Sequence, residues 1–238
     1  SIRRQRQMCI RDRNRSKDPV SGEALRIMPE GFRKSQRAIR IAEKFDLPII
    51  SLIDTPGANI TLGAENRGLA HSIATTMSLF SSQSSPTIAV VIGEGGSGGA
   101  LSIGIADKVI MLENAIYSAI SPEEAANLIY RDESRANEVA ETLKLTASDC
   151  QSLGIVDLIV TEPEGGAHTD HHEAARLLKR ALLQQLFEVQ NSSKRKRLRA
   201  RYEKFKGIGE YSSHFRNRIS RELNLLQHSI TDKIKGFR

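Results

Sequence analysis

The residues with the most legible chemistry are glycines. Gly93-Glu-Gly-Gly-Ser-Gly-Gly-Ala100 follows the apolar run Pro86-Thr-Ile-Ala-Val-Val-Ile92 and leads into the small-residue segment Leu101-Ser-Ile-Gly-Ile-Ala106. Five glycines in seven residues leave the main chain almost bare of side chains. Glycine also reaches φ > 0 without a Cβ clash, so consecutive N–H groups can converge on one point. A strand ending in such a turn, just before a helix, aims backbone donors and the positive helix end at a ligand oxygen. The pattern predicts a backbone anion-binding turn.

Which anion it binds is decided by the neighbours. Gly93-x-Gly95-x-x-Gly98 matches the dinucleotide fingerprint, and Glu113, twenty residues beyond Gly93, stands where a ribose-binding acid would. Only eight residues separate Gly99 from the apolar run at 108–112, however. A helical crossover between parallel strands takes about ten to twelve, so the spacing argues against a dinucleotide. No Lys-Ser/Thr pair follows the glycines, which excludes a P-loop. Gly95-Gly-Ser97-Gly-Gly99 contains the Gly-x-Ser-x-Gly pattern of hydrolases, but no pattern ties His71, His168, His171, His172, His214 or His228 to Ser97 as a base. Ser97 then reads as a small turn residue. His168-Thr-Asp-His-His172 reads as a loop before a helix, with Asp170 as N-cap, and has no matching metal ligands elsewhere. An oxyanion hole remains, with N–H groups fixed before reaction and aimed at developing negative charge. The alternative is a glycine turn that only permits close helix–strand packing.

The elements that must position this turn alternate between strand and helix. Ala38, Ile41, Ala42 and Phe45 follow i, i+3, i+4, i+7, predicting a helix over about 30–45. Ile49–Ile53 is a continuous apolar run, long enough for a strand buried on both faces, and Asp54-Thr-Pro-Gly57 stops it. A helix over about 64–81 places Leu69, Ile73, Met77 and Phe80 on one side, and the strand at 86–92 follows. Residues 108–112 and 117–120 read as short strands. Ser121-Pro-Glu-Glu124 is a capping box that opens a helix over 123–130, followed by helices over 133–145 and 173–189, with a strand at 156–160 between them. Strands alternating with helices indicate an α/β layered fold.

Charge divides the chain. Residues 1–18 carry seven Lys/Arg against two Asp, and residues 191–238 fourteen against four acids, so 19–190 is acidic at −8 within a chain of net charge +7. Residues 1–18 show no helix or strand period and are expected to be disordered; Met8-Cys-Ile-Arg-Asp-Arg13 resembles translated sequencing adapter, which makes a non-native end the expectation. Residues 191–238 are expected to be partly helical and weakly packed. The basic ends lack a recognition motif or an aromatic platform, which speaks against nucleic acid as the ligand. No apolar run approaches the ~20 residues of a membrane span, and the expectation is a cytoplasmic protein. Cys9 and Cys150 match no metal or redox spacing and are read as unpaired thiols.

Asp54-Thr-Pro-Gly-Ala58, Gly63-Ala-Glu65, Arg67-Gly68, Val91-Ile-Gly-Glu-Gly-Gly-Ser-Gly-Gly-Ala-Leu101, Tyr117, Ile120-Ser-Pro-Glu123, Gly165-Gly-Ala-His168 and Arg201-Tyr-Glu-Lys-Phe205 stand in order. From about residue 23 to 210 the chain resembles the carboxyltransferase alpha subunit of bacterial acetyl-CoA carboxylase. The resemblance implies a crotonase-like fold, a core of ββα spirals with C-terminal helices, spanning 19–190. It implies transfer of a carboxyl group from carboxybiotin, on biotin carboxyl carrier protein, to acetyl-CoA, giving malonyl-CoA for fatty acid synthesis within an ATP-dependent complex. The partners implied are a beta subunit in an alpha2beta2 assembly, which holds the zinc and most of the CoA site, and biotin carboxylase; this chain binds no cofactor itself. By motif position the N–H groups of Gly99 and Ala100 hold the ureido oxygen of biotin. Gly95, Gly96 and Gly98 shape the turn, Ser102 lies near the acyl end, and Gly57 and Ala58 border the substrate. The leaving biotin is implied to take the acetyl proton, so no side-chain base is required.

The chain departs from the family in two places. Asn59-Ile-Thr61 replaces the usual Tyr-Pro-Gly, which changes what that loop can adopt. The family also has core strands ahead of the residue-30 helix; their loss would uncover a sheet edge and a core face. Two other functions remain open: a crotonase-fold hydratase or isomerase acting on an acyl-CoA alone, with Glu94 as the nearby acid or base, and a non-catalytic scaffold using the basic tail to bind RNA or a partner.

Overall fold

The apolar runs become one parallel sheet. The computed structural model of the protein describes residues 26–209, so the expectations for residues 1–18 and for 210–238 lie outside the described residues. In chain order the elements are α1 (Pro29–Lys44), β1 (Ile49–Thr55), α2 (Leu62–Asn66), α3 (Leu69–Ser82), β2 (Thr87–Gly96), α4 (Ser97–Leu101), β3 (Lys108–Leu112), β4 (Ile116–Ser118), α5 (Pro122–Tyr130), a 3-10 turn (Glu133–Arg135), α6 (Ala136–Leu143), α7 (Ala147–Ser152), β5 (Leu158–Val160), α8 (His171–Gln190) and α9 (Lys194–Lys206). The sheet order is β1-β2-β3-β5, with β4 also pairing β2. The chain divides into two compact units, residues 1–202 and 203–238; of the second, the described part is the end of α9 and the residues after it, up to 209.

Strand β2 is central, and Ile88, Ala89, Val90 and Val91 are all 0% exposed. A strand covered on both faces reads as an unbroken apolar run, as this one does. Strand β1 differs from its prediction. Ser51, Ile53 and Thr55 are buried, whereas Ile50 is 42% exposed, so among the described residues only one face of β1 is covered. Helix α1 forms where predicted but buries another face. Phe32, Ser35, Gln36, Ile39 and Ala42 pack inward, while Ile41 and Phe45 are exposed. Hydrogen bonds made the polar residues suitable for burial: Gln36 Nε2 donates to Ser72 O at 3.0 Å and Thr76 Oγ1 at 3.1 Å on α3.

Three further elements depart from the sequence reading. The helix over 64–81 is broken at Gly68, whose φ of +75° separates α2 from α3. Helix α7 had gone unread, although Thr146 caps it by accepting from Asp149 N at 3.2 Å. The basic helix α9 is not weakly packed along residues 194–202. Arg201 is 2% exposed, pairs with Asp107 at 2.7 Å and donates to the carbonyls of Phe80, Ser81 and Gln83.

The crossover argument against a dinucleotide also fails. Strand β2 ends at Gly96, not before Gly93, so eleven residues, 97–107, join β2 to β3, and the two strands are parallel. One short helix and tight bonds such as Ala106 N to Gly104 O at 2.9 Å make the crossover. The dinucleotide reading falls for another reason: Glu94, Gly95 and Gly96 are strand residues paired with Ile116, Tyr117 and Ser118, not an open loop. Glu113 is occupied elsewhere, its Oε2 accepting from Glu162 N at 3.3 Å.

Candidate functional site

The glycine segment is half strand and half helix. It leaves the sheet at Gly96 and turns at Ser97 into α4. The expectation that glycine supplies the left-handed conformation is not met: Ser97 has φ +51°, and none of the glycines from 93 to 99 has a positive φ. The glycines are needed for close approach. A Cβ on Gly96 would lie 2.3 Å from the Pro56 carbonyl carbon and oxygen, and one on Gly99 would lie 2.9 Å from Ala58 N and Gly57 C. The end of β2 and the start of α4 are thus pressed against the segment 56–58.

That segment is itself fixed. Thr55 Oγ1 accepts from Gly57 N at 3.1 Å and Asp54 Oδ1 accepts from Glu94 N at 3.1 Å. Gly57 O accepts from Ile27 N at 3.0 Å, and Ile27 O from Asn59 N at 2.9 Å, so the chain before α1 clamps the loop. The replaced residues make their own turn. Asn59 Oδ1 accepts from Thr61 N at 2.9 Å and Oγ1 at 2.6 Å, and Thr61 then caps α2. Local hydrogen bonds therefore do what proline and glycine would do in the usual loop.

The first N–H groups of an α-helix have no intrahelical acceptor. Helix α4 starts without a side-chain cap, with Gly98 and Gly99 in its second and third positions. Ala100 is the first residue whose N–H regular geometry returns to the N-cap carbonyl, which makes Gly99 the freer donor of the two singled out. Gly57, Ala58, Gly96, Gly98, Gly99 and Ala100 come together here. Gly98 is the most open, its nearest neighbour to a Cβ being Ile73 Cγ2 at 3.8 Å, while Gly99 and Ala100 are buried. Gly95 faces away from them, onto Tyr117. Ser102 is 0% exposed and its Oγ donates to Gly99 O at 2.8 Å, so it holds the helix turn from within.

The sequence reading missed several neighbours of the turn. Tyr117 lies across Gly95 and Gly104, and burial, with a smaller contribution from Cys150, pushes its phenol up to about 12. Pro56 is the backbone against which Gly96 fits. Arg26 brings a cation alongside, Nη1 standing 3.5 Å from a Gly57 Cβ while Nη2 pairs with Glu124 at 3.2 Å. Pro56 and Tyr117 stand within the motifs that carry the family resemblance but have no role implied there, and no motif or periodicity marks Arg26. Ser97 is hydrogen-bonded to no histidine among the described residues; His71 stands against Thr75 and His171 against Ala167 O. Among the described residues no group of three or more His, Cys, Asp or Glu could hold a metal ion, and no helix is long and apolar enough to cross a membrane.

A parallel sheet whose central strand delivers uncapped amides beneath a clamped loop, with no nucleophile–base pair at the turn among the described residues, has the α/β fold of the crotonase-like class. Residues 20–209 match the family described as acetyl co-enzyme A carboxylase carboxyltransferase-like, and the chain belongs to that family. The acetyl-coenzyme A carboxylase carboxyl transferase subunits alpha of Staphylococcus aureus strains bovine RF122 / ET3-1 and MRSA252 are each 50% identical over 183 residues, 77% of this chain. The chain spans 58% of the length of those relatives. Among solved structures, a Pseudomonas malonate decarboxylase hetero-tetramer in complex with coenzyme A superposes with a TM-score of 0.68 at 15% identity, covering 86% of this chain and 80% of that one. Transcarboxylase 12S, with methylmalonyl-coenzyme A and methylmalonic acid bound, gives a TM-score of 0.52 at 23% identity over 56% of this chain and 28% of that one. At these identities the two structures share the fold.

Proposed function

We propose that this chain supplies the biotin-facing part of a two-subunit carboxyltransferase, which moves a carboxyl group from carboxybiotin on a carrier protein to acetyl-CoA and gives malonyl-CoA. The observation that carries the reading is the uncapped first turn of α4 beneath Gly57 and Ala58. As the carboxyl group leaves, negative charge grows on the ureido oxygen of the donor. The amide of Gly99 is the freer of the two donors and is set to receive it, with that of Ala100 sharing its helical bond, and donors fixed beforehand are how an oxyanion hole lowers a barrier. Gly96, Gly98, Gly57 and Ala58 shape the approach, and Arg26 adds positive potential for an anionic substrate. A beta subunit would supply the zinc and most of the coenzyme A site, in an alpha2beta2 assembly served by biotin carboxyl carrier protein and biotin carboxylase. The product would feed fatty acid synthesis in the cytoplasm. The hydratase or isomerase alternative needs an acid or base at the turn, and the family membership does not favour it.

The test is co-expression with a beta subunit and assay of malonyl-CoA decarboxylation in the presence of free biotin. Turnover that requires both subunits and biotin is expected. Equal turnover without biotin would support the acyl-CoA-only alternative and overturn the proposal, as would no turnover by an assembled complex.

A further inference from the structure

Two glycines of the site region face one tyrosine side chain, Gly95 at its ring and Gly104 at its hydroxyl. A Cβ on Gly95 would stand 2.6 Å from Tyr117 Cδ2, and one on Gly104 would stand 2.8 Å from Tyr117 Oη and 3.1 Å from Ala100 O. Gly95 lies in β2 just before the turn, and Gly104 lies just after α4. The side chain therefore bridges the segment that enters the turn and the segment that leaves it. We propose that Tyr117 is a positioning residue for the transfer reaction: its side chain, seated in the slot left by Gly95 and Gly104, sets where the first turn of α4 stands relative to the sheet.

Tyr117 is well anchored for this work. Its backbone lies in β4, paired at Gly95 of β2, and its N–H donates to Leu145 O at 3.0 Å. Its carbonyl accepts from the buried thiol of Cys150 at 3.8 Å. The hydroxyl has no hydrogen-bond partner among the described residues, so it meets Gly104 by van der Waals contact only, while the ring fills the space at Gly95. A phenol held this way fills space between two backbones that no side chain of their own could fill, since both are glycine there. Removing the ring leaves α4 without its support on that side, and a displacement of about 1 Å at a reacting group can cost on the order of 10²-fold in rate.

This inference rests on the carboxyltransferase reading, and the experiment separates the two. With the full chain assembled with its beta subunit, kcat and KM are measured for malonyl-CoA decarboxylation with free biotin. Amide hydrogen exchange is followed over residues 97–101 in parallel. Tyr117→Ala is expected to lower kcat on the order of 10²-fold with KM little changed, and to speed exchange in α4. Tyr117→Phe keeps the ring against Gly95 and loses only the oxygen facing Gly104, and is expected to lose less than tenfold in kcat. Gly95→Ala meets the ring at 2.6 Å but also Val91 Cγ1 at 3.2 Å and Ile116 O at 3.3 Å, so combined with Tyr117→Ala its further loss should be smaller than its loss in the unsubstituted chain. Unchanged kcat in Tyr117→Ala overturns the proposal. So does a Tyr117→Phe loss as large as that of Tyr117→Ala, which would give the hydroxyl a direct role, or a double variant in which the full losses of the two single variants multiply. An inactive unsubstituted complex refutes the carboxyltransferase reading, and the exchange measurement then decides the positioning role by itself.

Discussion

Gly96→Ala is the sharpest test of the packing beneath the candidate site. The added methyl would stand 2.3 Å from two atoms of Pro56 and 2.9 Å from Gly57 N, whereas ordinary contact begins at 3.4 Å. All three are backbone atoms of a segment held by Thr55, Ile27 and Asn59, so no flexible side chain can yield. Either β2 or the 56–58 segment must move by about 1 Å, and a shift of that size at a reacting group costs on the order of 10²-fold in rate. That factor corresponds to about 2.7 kcal/mol of barrier. Gly63→Ala in α2 is the matched control, since no atom lies within 4 Å of its Cβ position; alanine in a helix is favoured over glycine by roughly 0.5–1 kcal/mol. The assay is malonyl-CoA decarboxylation by the two-subunit complex, with the melting temperature recorded for each variant. Gly96→Ala should lose most of its turnover and Gly63→Ala none. Near-normal turnover in Gly96→Ala would refute the argument that this close approach sets the site.

Other expectations follow from the same contacts. Gly99→Val should nearly abolish transfer while leaving the far-ultraviolet circular dichroism unchanged; retained activity would remove the oxyanion role from that amide. Arg201→Met strands the Asp107 carboxylate, which is 7% exposed at its side chain, and breaking such a buried pair costs roughly 3–5 kcal/mol. Urea unfolding should show this loss, and pairing Arg201→Met with Asp107→Asn should recover part of it; truncation after residue 193 should destabilise as Arg201→Met does. The phenol of Tyr117 is raised from 10.0 to about 12, so between those values the folded chain holds a proton that the unfolded chain has released. Stability should then be fully present below pH 10 and fall as pH rises toward 12, a decline that Tyr117→Phe should lack in pH-dependent unfolding.

Local chemistry was readable from the sequence where partners are close in the chain. Ser121 accepts from Glu124 N at 3.1 Å, as the capping box implies, and Asp170 caps α8 by accepting from His172 N and Glu173 N. The apolar run of β2 was readable too, because burial on both faces leaves its mark on composition alone. What stayed hidden depends on distant pairing. Nothing near Gly93–Gly96 says that the strand continues, since that follows from β4 pairing with it some twenty residues later. The buried face of α1 differs from the apolar pattern because Ser35 and Gln36 are buried through bonds, two of them to α3, which hydropathy scores as a loss. The glycines were assigned to conformation, whereas Gly96 and Gly99 answer to a segment 40 residues upstream that only the folded chain brings beside them.

The Arg201 clasp has a consequence for synthesis. Its two charged members are 94 residues apart in sequence, with Asp107 emerging from the ribosome first. At about 5–20 residues per second, translation leaves Asp107 and the carbonyls at the end of α3 without their cation for roughly 5–20 s. During that interval these groups lack the arginine that pairs them in the folded chain, while Thr87 already binds Asp107 at the N-terminal end of β2. A nascent chain stalled before residue 201 would therefore present this corner of the sheet, its carboxylate and three carbonyls unpaired by arginine, to chaperones and proteases.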